Sequence, residues 1–117
     1  MNLSISIFAM PANINSQGDI FGGWLLSQMD LAGLIECKQF QPSRYVTIAI
    51  DKMKFIKHVS VGDLVKIYTN VEKTGNTSIT ILMKAFVDRL NGEPELEVTS
   101  GLFTYVKIDA DRKAIPL

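Results

Sequence analysis

Asp30 is an acidic residue within a helical segment that is otherwise apolar. When residues 24–35 are placed at about 100° steps, Asp30 falls between Leu26 and Leu34, and apolar residues appear on every side of the wheel. A helix of this composition is expected to be buried, and an ionised carboxylate inside it is costly unless it is paired or used. The pattern indicates a catalytic acid or base. On the wheel alone, a capping or solvent-exposed carboxylate is the alternative.

Two glycines, Gly22 and Gly23, stand at the start of the same helix. Without side chains to shield them, the backbone N–H groups of this first turn are open to a negative charge, including a developing oxyanion. Such a donor lies two helical turns before Asp30. The pair of features predicts attack on a carbonyl group.

Composition sets limits on the function. The 117 residues carry 12 Lys plus Arg against 12 Asp plus Glu, so no overall field favours nucleic acid, and any anionic ligand needs a local cluster of cations. A single cysteine excludes an internal disulfide, and with one histidine it leaves little for a structural zinc site. We therefore expect no metal.

Hydropathy gives no membrane or export signal. No apolar run approaches the roughly 18 residues that span a bilayer, and residues 1–10 lack a basic leader region. No linker, repeat or low-complexity stretch divides the sequence. We expect a cytoplasmic protein with one domain over residues 1–117 and no membrane partner.

Periodicity and turn residues predict the order β-α-β-β-β-β. The helix begins at Gly22-Gly23 and continues to about Phe40, where Pro42 stops it. Hairpin turns are expected at Gly75-Asn76 and Asn91-Gly92. The predicted strands cover residues 3–9, 45–56, 64–74, 77–88 and 95–108, with the last four in sequential meander. One antiparallel sheet with one buried helix can cover its core only by curling around that helix. The fold class is α+β.

The second strand is predicted to alternate strictly between two faces. One face would carry Thr47, Ala49, Asp51, Met53 and Phe55, and the other Val46, Ile48, Ile50, Lys52, Lys54 and Ile56.

The sequence resembles the bacterial hotdog-fold acyl-CoA thioesterases, in which a curved five-stranded antiparallel sheet wraps a long central helix. No single fragment is specific, but their joint order and spacing are, and they extend over nearly the whole chain. The fragments are Ala9-Met10-Pro11, Asn15, Gly18-Asp19-Ile20-Phe21-Gly22-Gly23-Trp24, Met29-Asp30, Arg44-Tyr45-Val46-Thr47, Phe55-Ile56-Lys57, Val61-Gly62-Asp63 and Gly75-Asn76-Thr77-Ser78.

The resemblance implies a set of catalytic residues. Asp30 would be the essential carboxylate and Asn15 its partner, the two meeting across a dimer interface, with a trimer of dimers as a common further assembly. The N–H near Gly23 would polarise the thioester carbonyl, and Thr47 would supply a supporting hydroxyl. The sequence departs from many relatives at Phe21, where they carry His, and at His58, where proline is common. It also ends at Leu117, where relatives usually continue for a segment whose loss we expect to weaken assembly or shorten a lid.

Coenzyme A, as part of substrate and product, would need phosphate and pantetheine contacts, and no separate cofactor is expected. The candidate binding residues are Gly22, Lys54, Phe55, Lys57, Asn76, Thr77 and Ser78. Lys52 and Lys54, on one strand face, would make a two-point contact with a phosphate. A solvated, aggregation-resistant edge is the alternative for Lys52, and an ordinary hairpin is the alternative for the turn at residues 75–78.

Thioester hydrolysis suits these residues because an activated acyl group needs only a modest base, a positioned water and one oxyanion donor. Asp30 could deprotonate the water or attack the carbonyl itself, and the sequence leaves both open. Asn15 could equally be an Asx-turn residue, and Cys37 is expected to be a buried packing residue. Two other functions stay open: an acyl-CoA-binding module without activity, and a hotdog dehydratase, for which a histidine in the helix motif is missing.

Overall fold

One long helix and five strands make up the computed structural model, which describes residues 1–20 and 22–117. Phe21, and with it the predicted departure from a histidine, lies outside the described residues. The strands are β1 (Asn2–Phe8), β2 (Arg44–Phe55), β3 (Leu64–Thr74), β4 (Ser78–Asp88) and β5 (Leu96–Ile108), and the helix is α1 (Gly22–Phe40). A short 3₁₀ turn, Pro11–Asn13, lies between β1 and α1. The predicted order of elements is confirmed, with strand ends that differ by at most one residue.

All five strands form a single antiparallel sheet in the order β1-β3-β4-β5-β2. The hairpins β3–β4 and β4–β5 are present as predicted. The sequential meander was wrong at one place, because β2 pairs with β5 and not with β3. The stretch 56–63 therefore crosses from one side of the sheet to the other, and β1 and β2 become its two edges.

Helix α1 packs one face against the sheet. Its buried residues are Leu25, Met29, Ala32, Gly33, Glu36 and Cys37, which recur at the three- and four-residue spacing of one helical face. On the other side, Leu31 is 51% exposed and Ile35 is 37% exposed. The prediction of a helix buried all round was thus wrong for a single chain, and Asp30 is half-buried between the two faces.

Strand β2 does not alternate strictly, contrary to the prediction. Its pairing with β5 shifts register between Thr47 and Ala49, and again between Asp51 and Lys54, where Lys52 has a left-handed φ of 54°. Such irregularities bend a strand and change which face later residues occupy. They also interrupt the regular alternation from which the common face of Lys52 and Lys54 was predicted.

The first irregularity brings inner positions of β2 together. Thr47 lies opposite Tyr105 and Ile50 opposite Phe103. Tyr105 and Phe103 are two residues apart on β5, so they lie on the same face of the sheet, and both are buried. Thr47 and Ile50, three residues apart, therefore occupy the same face of the sheet.

Among the described residues, no helix is both long and apolar enough to cross a bilayer.

Candidate active site

The carboxylate of Asp30 receives two hydroxyl groups from the sheet. Thr47 donates its side-chain hydroxyl to Oδ1 of Asp30 at 2.6 Å. The Tyr105 hydroxyl lies 3.1 Å from the same Oδ1 and 2.7 Å from the backbone oxygen of Asp30. The structure thus brings together Asp30 and Thr47, two of the predicted catalytic residues.

Tyr105 was not among the predicted site residues. Its side chain is buried, and burial, followed by the charge of Asp30 and the hydrogen bond to it, raises the pKa of the Tyr105 hydroxyl well above its usual range. The hydroxyl therefore stays protonated and acts as a donor towards Asp30. Only the pairing of β2 with β5, which sets Tyr105 opposite Thr47, could have revealed it.

Gly22 and Gly23 open α1 as predicted, and both are exposed. No acidic side chain lies in this first turn to occupy its N–H groups. Seven residues separate Gly23 from Asp30, so the two lie on the same helical face about 10 Å apart along the axis. Side chains in a helix generally lean towards its N-terminus, and Gly23 lies on that side of Asp30.

A cleft of about 300 Å³ adjoins the start of α1. It brings together three of the predicted binding residues, Gly22, Phe55 and Lys57. The remaining lining residues are Ile20, Leu25, Ile56, His58 and Val59. Its wall is mostly apolar and includes two exposed polar side chains, Lys57 and His58. The cleft can therefore hold an apolar group while the Lys57 ammonium contacts a phosphate.

Lys54 lines a different cavity, of about 370 Å³. Lys52 and Met53 line it as well, together with residues of β5 such as Leu102. The two lysines thus share a cavity although Lys52 lies within the irregular part of β2.

The turn at residues 75–78 lines neither of these two cavities in the single chain. Instead, its backbone oxygens accept hydrogen bonds from β5 and from Leu117. Leu117 N–H donates to Asn76 at 3.0 Å, and Lys107 N–H donates to Thr77 at 2.9 Å. The role of the Asn76, Thr77 and Ser78 side chains in ligand binding therefore stays a prediction.

Asn15 lies in the loop before α1 and makes no hydrogen bond to Asp30 among the described residues. Its Oδ1 accepts the N–H groups of Gln17 at 2.9 Å and Asp19 at 3.2 Å. This is the Asx-turn geometry that was the alternative reading of this residue. The turn engages the amide oxygen and leaves the amide NH₂ group as the donor available to a partner.

Cys37, the only cysteine, is fully buried on α1. Burial, with a smaller contribution from the charge of Glu36, raises the pKa of the Cys37 thiol to about 12. A thiol that stays protonated is a packing residue and a poor nucleophile, as predicted. Among residues 1–20 and 22–117, no three His, Cys, Asp or Glu side chains lie close enough to hold a metal ion together.

Comparison with known proteins identifies the family. A family model of the thioesterase superfamily matches residues 17–90, which include α1, β2, β3 and most of the site. The chain belongs to the thioesterase superfamily. The resemblance found in the sequence is thereby confirmed.

Three relatives extend the match over almost the whole chain. The acyl-CoA thioester hydrolase YciA of Salmonella typhimurium is 43% identical over 118 residues, which cover 98% of this chain and 89% of the relative. The hexameric thioesterase y2039 from Yersinia pestis is 44% identical, with a TM-score of 0.95 over 99% of this chain and 94% of that one. Cj0915, a hexameric hotdog-fold thioesterase of Campylobacter jejuni, is 41% identical, with a TM-score of 0.91 over 98% and 89% of the two chains. The hotdog fold is thereby confirmed.

Proposed function

We propose that this protein is an acyl-CoA thioester hydrolase. It adds water across the acyl–sulfur bond and releases a free carboxylic acid and coenzyme A. The observation that carries the proposal is the Asp30 carboxylate, held by the hydroxyls of Thr47 and Tyr105 on the helix that begins at Gly22 and Gly23. Relatives with 40–43% identity over nearly the full chain are acyl-CoA thioester hydrolases, which supports the same substrate class.

In this proposal, the thioester carbonyl lies between Gly23 and Asp30. The Gly23 N–H stabilises the oxyanion that forms as the carbonyl is attacked. Asp30 either removes a proton from the attacking water or attacks the carbonyl carbon to give a mixed anhydride that water then cleaves. In both routes the thiolate of coenzyme A leaves and takes up a proton. Hydrolysis in ¹⁸O-labelled water under single-turnover conditions separates the two, because only the anhydride route can leave label in Asp30.

Coenzyme A is proposed to enter by the cleft at Gly22, Phe55 and Lys57. Phe55 is 60% exposed and offers an apolar surface to the pantetheine arm, while Lys57 is available to a phosphate. Lys54, in the neighbouring cavity, is the second candidate for a phosphate contact. Asn76, Thr77 and Ser78 would reach the ligand from another subunit, since their turn lines neither cavity of their own chain.

We propose that the active enzyme is at least a homodimer and assembles further as a trimer of dimers. Strand β2 is an unpaired edge that exposes Ile48 and Ile50, and the nearby outer face of α1 exposes Leu31 and Ile35. An exposed apolar edge of this kind pairs readily with another chain. The thioesterases of Yersinia pestis and Campylobacter jejuni named above are hexameric, which supports the larger assembly.

Across this interface, Asn15 of one subunit would donate its amide NH₂ group to the site that contains Asp30 of the other. The donor is available because the Asx turn uses only the amide oxygen. The cytoplasmic location and the absence of a separate cofactor stay predictions from the sequence.

Release of free thiol from a panel of acyl-CoAs of increasing chain length tests the proposed reaction. We expect turnover of at least one chain length by the wild-type protein and its loss in Asp30→Asn. Saturable binding of acyl-CoA without thiol release would favour the binding module. Conversion of an enoyl or hydroxyacyl thioester without thiol release would favour a dehydratase. Either result would contradict the proposal.

A further inference from the structure

The two carboxylate oxygens of Asp30 have different surroundings. Both hydroxyl donors, from Thr47 and Tyr105, lie on Oδ1. Within the part of the chain that the structure describes, Oδ2 receives no hydrogen bond. An oxygen that accepts hydrogen bonds from two hydroxyls is more tightly placed than a neighbour that accepts none.

We infer that Tyr105 is a positioning residue that, together with Thr47, fixes Oδ1 of Asp30 and thereby presents Oδ2 as the reacting oxygen. The inference rests on the proposed function, in which Asp30 is the base or nucleophile. Tyr105 acts through Asp30, because its hydroxyl contacts both the carboxylate and the backbone oxygen of that residue.

The sheet register brings the two donors to the same oxygen. Thr47 and Tyr105 are directly opposite each other in the antiparallel pair of β2 and β5, so their side chains leave the same face side by side. Thr47 lies at the irregularity of β2 and Tyr105 within the regular part of β5. The tyrosine of the pair is fully buried, and the threonine lies on the edge strand.

Gly33 makes room for the tyrosine on the helix. It lies one turn after Asp30, and a Cβ atom added there would overlap the Tyr105 hydroxyl and approach the end of Met83. Met83 is a flexible side chain that can move, whereas the tyrosine ring is rigid and its hydroxyl cannot retreat without leaving Asp30. The glycine thus permits the close approach of the Tyr105 hydroxyl, whose single proton is shared between the backbone oxygen and Oδ1 of Asp30.

The first test replaces Tyr105→Phe, which removes the hydroxyl and keeps the ring. We expect kcat to fall about 10- to 100-fold with KM within about threefold, because the carboxylate loses orientation while the binding cleft is unchanged. Tyr45→Phe is the matched control. Tyr45 is also buried, and its hydroxyl donates to the backbone oxygen of Gln41 at 2.6 Å, so the variant loses a comparable hydrogen bond without touching Asp30. Its kcat should stay within about twofold of wild type.

Restoring a hydrogen-bond donor at position 105 separates a positioning role of Tyr105 from a role in the stability of the fold. Incorporation of 4-aminophenylalanine at position 105 restores a donor at the ring tip and should recover at least about a tenth of the wild-type kcat. Gly33→Ala, which keeps Tyr105 but forces its hydroxyl away from Asp30, should lower kcat as Tyr105→Phe does. In the Tyr105→Phe background the same alanine should lower kcat much less, since the contact it disrupts is already gone.

The outcomes distinguish this inference from the proposed function. Wild-type kcat in Tyr105→Phe, beside an inactive Asp30→Asn, would overturn the role of Tyr105 and leave the hydrolase intact. Full activity in Asp30→Asn would overturn the proposed role of Asp30 itself. If Tyr105→Phe does not fold, Gly33→Ala decides: a lower kcat at unchanged KM supports the inference, and an unchanged kcat overturns it.

Discussion

Thr47 on the edge strand β2 donates its hydroxyl to Asp30 on α1, with 2.6 Å between Oγ1 and Oδ1. The hydrogen bond joins the helix to a strand whose outer edge is unpaired in the single chain. Whatever fixes β2 therefore also fixes the carboxylate of Asp30. On this account assembly and catalysis depend on each other.

Substitution of Ile48→Lys tests this dependence. Ile48 is 58% exposed on β2, so a lysine there should cost the isolated chain little, while its charge would oppose an apolar interface. We expect smaller assemblies by light scattering and a loss of at least about tenfold in kcat, because the Thr47 contact loses its support. The control is Leu90→Lys, at a leucine that is 60% exposed in the turn between β4 and β5. A fully active, dissociated Ile48→Lys protein would contradict the link between assembly and activity.

The amide of Asn15 is expected to act as a donor, and two variants separate that role from its place in the loop. Asn15→Asp keeps an oxygen that can accept the N–H groups of Gln17 and Asp19 but loses the NH₂ donor. Asn15→Ala loses both. If donation matters, both variants should lose roughly 10²-fold in kcat, the usual scale for such a group, while Asn15→Asp keeps the thermal stability of the wild type. Normal kcat in Asn15→Asp would reduce the residue to its structural role in the Asx turn.

Complementation between inactive variants tests whether the site is shared between subunits. A hybrid dimer of Asn15→Ala and Asp30→Asn chains has one site with both lesions and one with none. Random pairing makes half of the dimers hybrids, so co-refolding should recover up to about a quarter of the wild-type rate. Recovery should follow the hybrid fraction measured by native mass spectrometry. Verified hybrids without activity would place Asn15 and Asp30 of the same chain together.

Cys37 should be inert in the folded protein. With its thiol fully buried and its pKa raised to about 12, almost no thiolate is present at neutral pH. We expect less than about 0.1 equivalent of the thiol to react with a disulfide reagent in the native state and about one equivalent in guanidinium chloride. Cys37→Ala should retain kcat within about twofold. Rapid native labelling, or a large loss of activity in Cys37→Ala, would show that the thiol takes part in the reaction.

The sequence was sufficient to predict the helix and the strands because particular residue types mark where each of them begins and ends. Proline and glycine end the helix and mark the turns, and apolar periodicity separates helix from strand. The pairing of β2 with β5 could not be read in this way, since periodicity carries no information about which strands are neighbours. Tyr105 was missed for the same reason: its role exists only once β5 lies beside β2.

Two further differences have local causes. The irregularities at residues 47–49 and 51–54 of β2 change the face of later side chains, and no glycine or proline in that strand signals them. The apolar wheel of α1 indicated burial, but a single chain buries only the face towards the sheet and leaves Leu31 exposed. The sequence of α1 therefore has more apolar surface than a single chain buries, which is typical of a subunit that assembles.

We propose that the carboxylate of Asp30 performs the hydrolysis. The value of kcat for acyl-CoA hydrolysis in Asp30→Asn tests this role, because the variant keeps the shape of the side chain and removes the base. The amide can still accept the hydroxyls of Thr47 and Tyr105, so folding, assembly and coenzyme A binding should match the wild type by circular dichroism, light scattering and calorimetry. We predict a fall of about 10³-fold in kcat with that binding preserved. A folded Asp30→Asn protein that retains kcat within about tenfold of the wild type would show that Asp30 is not the catalytic carboxylate.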